Sequence, residues 1–87
     1  MKVYTIKGLY VGPYKNEKNP TYFGTLEGAI KYADNSNFTY YGEDIKICID
    51  DYVVAIQKAV KKVDEAGEYI ERQKWQVRKN GKFVDYN

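Results

Sequence analysis

Isoleucines at 45, 47 and 49 alternate with Lys46 and Cys48, the period-two pattern of a strand with one buried face, and predict a strand over 44–50. Cys48 then lies on the face opposite the isoleucines. A second alternation runs through Val3 to Val11, with Tyr4 and Ile6 on one parity and Leu9 and Val11 on the other. A bulge at Gly8 would bring both pairs to one face. Asn80-Gly81 between two extended runs predicts a type I′ hairpin. Its register sets Lys79 opposite Lys82, Val77 opposite Val84 and Trp75 opposite Tyr86. One face is then apolar, and the other carries Lys74, Gln76, Arg78, Phe83 and Asp85.

Two segments follow a helical period instead. Thr25 reads as an N-cap for a helix from Leu26 to about Asp34, with Leu26, Ala29, Ile30 and Ala33 on one side. From Asp51, Tyr52, Ile56, Ala59, Val60 and Val63 recur at spacings of three and four. They predict a second helix reaching about Ala66 and ended by Gly67. The turn formers of 12–20, bounded by Pro13 and Pro20, predict an exposed loop. The expected architecture is a single α+β domain over 1–87 in the order β-α-β-α-β-β. It has a mostly antiparallel sheet of about four strands, two helices on one face and a C-terminal hairpin.

Composition narrows function. The chain has 87 residues, no histidine, one cysteine (Cys48), one serine (Ser36) and ten tyrosines. Histidine leads general acid-base work near neutral pH, and Ser or Cys nucleophiles are usually activated by a neighbouring base, so no catalytic residues are assigned and no enzyme is expected. Lone Cys48 forms no intrachain disulfide, and no Cys/His spacing suits a metal. Neither cofactor nor metal is expected, and the location expected is the cytoplasm. No run approaches the length of a membrane span. A net charge of +2 does not by itself announce nucleic acid. The domain is small enough that self-association would add useful stability, which leaves a homodimer open.

Tyrosine offers large amphipathic contact area at low entropic cost, which points to protein binding. Tyr10, Tyr14, Tyr22, Tyr40 and Tyr41, near predicted ends and loops, are the candidate contact residues. Size, mixed charge and a lysine-, asparagine- and isoleucine-rich composition suit a phage or mobile-element inhibitor of a host protein or nucleoprotein machine, of the anti-defence or anti-CRISPR type. It would act by stoichiometric surface occupation. The alternative partner is nucleic acid, met by Arg72, Lys74, Arg78, Lys79, Lys82 and Phe83 of the hairpin region, where cations flank an aromatic ring. A third reading is a nucleotide held between tyrosines. A further basic group, Lys58, Lys61 and Lys62, falls on the outer side of the expected second helix. Asp34 with Asp44-Ile45-Lys46 loosely resembles the acidic-x-Lys pattern of restriction-type nucleases. The match is short, and strand-end and cap roles are expected for Glu43, Asp44, Asp50 and Asp51.

Overall fold

Five side chains in line form the spine of the fold: Ile6, Ile47, Ala55, Val77 and Val84 are successive cross-strand partners on five neighbouring strands. The first four are buried. The computed structural model describes residues 2–11, 16–36 and 42–86. Its elements are β1 (Lys2–Lys7), β2 (Leu9–Val11), β3 (Asn16–Lys18), β4 (Thr21–Gly24), α1 (Leu26–Asp34), β5 (Ile45–Ile49), β6 (Tyr52–Asp64), β7 (Gly67–Lys79) and β8 (Lys82–Asp85). Six strands form an antiparallel sheet in the order β4-β1-β5-β6-β7-β8, while β2 and β3 pair separately.

The helix α1 begins as expected, the Thr25 side chain accepting from Gly28 N at 3.1 Å. It connects β4 to β5 across β1 and buries Ala29, Ile30 and Ala33 against the sheet. Asp34, its last residue, accepts the indole N–H of Trp75 at 2.9 Å. Tyr4, Leu9, Ile45 and Trp75 complete the core, with Tyr22, Leu26 and Tyr86 packed against it.

Several expectations are corrected. Among the described residues the main sheet has six strands rather than four, and there is one helix rather than two. Residues 52–64, read as helix, form β6, because β5 and β7 pair with its first half from both sides. That pairing suits the β-branched run Val53-Val54 better than an isolated helical stripe would. Gly67, assigned as a helix end, instead follows the two-residue turn Glu65-Ala66 with φ of 121°, while Asp64 Oδ1 accepts from Ala66 N at 2.8 Å.

Nor does a bulge at Gly8 keep the N-terminal run in one sheet. With φ of 93°, Gly8 turns the chain out of β1 so that β2 pairs with β3. Of the expected 12–20 loop, residues 16–18 are strand, and 12–15 lie outside the described residues. The C-terminal hairpin matches its expected register: Val77 faces Val84, Lys79 faces Lys82, and Asn80 and Gly81 both have positive φ.

Candidate functional site

Two surfaces stand out, and both arise from β6 and β7. These strands have thirteen residues each, but their outer neighbours are short. The last pairing of β5 with β6 is Ile45–Gln57, and β8 reaches only Gln76 on β7. Beyond those points the two strands continue as a ribbon of their own, turning at Glu65-Ala66.

The ribbon's root is held firmly. A bulge there sets Gln57 opposite Trp75 but Ala59 opposite Arg72. Asp44 Oδ1 accepts from Ala59 N at 2.9 Å, Arg72 Nη1 donates to Glu43 O at 2.7 Å, and Gln57 Nε2 donates to Gln73 O at 3.1 Å. Asp44 therefore serves as a backbone acceptor at a strand irregularity. We expect Asp44→Ala to lower stability by about 1–2 kcal/mol, the cost of orphaning a part-buried N–H, with Asp44→Asn recovering most of it. Urea midpoints would check both.

Residues 61–70 are all exposed. Cross-strand ion pairs lie on the two faces, Lys61–Glu68 at 3.1 Å and Lys62–Glu71 at 3.8 Å. Such pairs in water contribute little. Apolar side chains also face solvent, Val60 and Tyr69 on one side and Val63 and Ile70 on the other; Val63 is 73% exposed.

The second surface is the sheet face that α1 leaves bare. One cross-strand row on it runs Lys7, Lys46, Ile56, Gln76 and Asp85. Lys58, Val60, Gln73 and Lys74 join Gln76 and Asp85 around an open cavity of about 420 Å³. Farther along, Arg78 donates from Nε to Val53 O at 2.8 Å, and its guanidinium carbon lies 4.7 Å from the Tyr52 ring centre and 4.4 Å from that of Phe83. The cation is thus flanked by two rings. Cys48, buried on this side of the sheet beside Thr5 and Val53, has its pKa pushed up by burial and partly drawn back by Lys7 and Lys46. It stays a protonated thiol at neutral pH.

The residues singled out from sequence are distributed as follows. Tyr10 is half-buried and donates its hydroxyl to Glu43. Tyr22 packs against the core over Gly28, its ring 5.8 Å from that of Tyr32. Tyr14, Tyr40 and Tyr41 lie outside the described residues. The structure divides the basic set: Lys74, Arg78 and Phe83 share the bare face, whereas Arg72 turns toward Glu43 on the other side. Lys79 and Lys82 form the pair before the hairpin turn. Lys58 and Lys62 fall on the same side of the ribbon, and Lys61 on the opposite side.

Sequence reasoning missed Val63 and Ile70 on the ribbon, read Tyr69 only as a neighbour of the basic stripe, and missed Lys7 and Lys46 on the bare face and Tyr52 beside Arg78. The alternation of Lys46 with the isoleucines was a usable signal for one of them. Asp34 and Asp44 are engaged by Trp75 and Ala59, and among the described residues no group of three or more Cys, Asp and Glu could hold a metal ion. No helix among the described residues is long and apolar enough to cross a membrane. No family model, curated protein or solved structure matches the chain.

Proposed function

We propose that this is a non-catalytic protein-binding module that acts in the cytoplasm by stoichiometric occupation of a host protein or nucleoprotein surface, with the β6–β7 ribbon as its contact element. The observation that carries this reading is the combination of outer edges that pair with no other strand among the described residues, on both ribbon strands, with exposed Val60, Val63, Tyr69 and Ile70. A bare strand edge is a template for another chain, and free-standing two-stranded ribbons are marginal in water unless something covers them. The tyrosine-based contact expected from sequence shifts accordingly, from Tyr10 and Tyr22 to Tyr69 and its apolar neighbours. The phage and anti-CRISPR expectation gains no support from the fold.

The test is nuclease-treated affinity capture from the source cell, with the wild type and Val63→Asp/Ile70→Asp in parallel. Both substituted positions are exposed, so circular dichroism should be unchanged. A protein retained by the wild type should be lost from the variant, with affinity down at least about thirtyfold if these are hot spots worth about 2 kcal/mol. Equal retention by both, or no retained protein, would remove the ribbon from the reading. Light scattering on the same samples identifies the case in which the partner is a second copy.

A further inference from the structure

The bare sheet face has a chemistry separate from that of the ribbon. Lys46, Lys58 and Lys74 make no ion pair among the described residues, whereas Lys7 lies 3.6 Å from Asp51. Lys7 and Lys46 are direct cross-strand partners, a like-charge pairing that Asp51 offsets at Lys7 and that an anion over Lys46 would offset further. Asp85, which accepts from Gln76 at 3.4 Å, is the carboxylate that strand pairing places in their row. Beside these cations stands the Tyr52–Arg78–Phe83 stack, with Tyr52 56% exposed. Lysine flexibility suits backbone phosphates, and an arginine held between rings is a fixed cation next to a surface on which a base can stack.

We propose that this face binds single-stranded nucleic acid, with Lys46, Lys58, Lys74 and Arg78 neutralising phosphates and Tyr52 stacking a base. An open antiparallel sheet with cations spread over neighbouring strands and aromatic rings among them matches the needs of a splayed single strand. A duplex hides its base faces and has no use for the tyrosine. The α1 side cannot serve, because the helix covers its core. This interaction uses none of Val63, Tyr69 and Ile70 of the ribbon, although the two surfaces meet at Val60, which lines the cavity.

The experiment is fluorescence anisotropy with a labelled 15-nucleotide oligo-dT strand and its RNA equivalent, from 50 to 300 mM NaCl. With about four phosphates contacted, log affinity should fall by roughly 3 per log unit of salt. Lys46→Glu and Lys74→Glu should each weaken binding several-fold and flatten that slope by about 0.7, the share of one phosphate on a single strand. Tyr52→Ala should weaken binding by about fivefold or more while leaving the slope unchanged. Val63→Asp/Ile70→Asp should bind the strand like the wild type, so loss of protein capture and loss of nucleic-acid binding are read separately. The proposal is overturned if no strand binds at 50 mM NaCl, if both lysine variants bind like the wild type, if duplex binds better than single strand, or if polyglutamate competes as well as unlabelled strand.

Discussion

Trp75→Ala is expected to remove about a quarter or more of the domain's stability at 25 °C. The indole is 6% exposed within the core on β7, and its Nε1–H donates to Asp34 at the end of α1. Truncating a buried tryptophan costs about 3–5 kcal/mol. An 87-residue domain has roughly 4–13 kcal/mol to lose, at about 0.05–0.15 kcal/mol per residue. The two parts of the loss can be separated. Trp75→Phe keeps an aromatic ring but drops the donor, and because Asp34 is exposed its carboxylate is simply rehydrated, so the cost should be only about 1–2 kcal/mol. Chemical denaturation of the two variants and of Asp34→Ala gives the comparison. If Trp75→Ala unfolded at nearly the wild-type midpoint, the helix would not depend on the sheet in the way described.

Gly8→Ala should be nearly as damaging, although it adds only one carbon. A Cβ at this position would lie 2.2 Å from the carbonyl oxygen of Asp44, and the backbone is held at φ of 93°. Neither problem can be relieved alone. Asp44 is anchored through its side chain to Ala59, and moving it strips a hydrogen bond from the ribbon root. A strained backbone and a steric overlap, each worth about 1–3 kcal/mol, together predict a loss of about 2–6 kcal/mol. The outcome is read as a lowered melting temperature. The same substitution at Gly67, where a Cβ meets nothing within 4 Å, isolates the conformational part and should cost less.

What the sequence disclosed follows from which interactions are local. The α1 cap at Thr25 and the Asn80-Gly81 turn depend on a few adjacent residues, and both appear where the chain pattern puts them. β6 was illegible for a specific reason. Its root half is paired on both sides and irregular at two points, so Val53 to Ile56 form an unbroken apolar run rather than an alternation. Its outer half has no core to enforce alternation, and Val60 and Val63, which look one helical turn apart, lie on opposite faces. The spacings of three and four came from these two regimes laid end to end. β3 and β4 were hidden similarly, since their pairing partners lie several residues away in the chain and their turn-forming neighbours read as loop. The candidate surfaces were partly visible: Lys74, Arg78 and Phe83 were correctly grouped by hairpin parity, whereas Lys7 and Lys46 joined them only through pairing between distant strands, and Tyr52 only through its contact with the Arg78 guanidinium.

The ribbon's independence from the core has an evolutionary consequence. Among the described residues its strands pair only with each other past Arg72, and beyond the contact of Ile70 with Gly42 its reach can change without repacking the core. Removing or adding two residues in each strand alters the length by about 6.6 Å and keeps every side chain on its own face. A change of one per strand exchanges the faces and turns Lys62 and Tyr69 over together. Homologous chains that diverge in what they engage would therefore be expected to differ here in steps of four residues, while Gly8, Trp75 and the Ile47 row stay fixed.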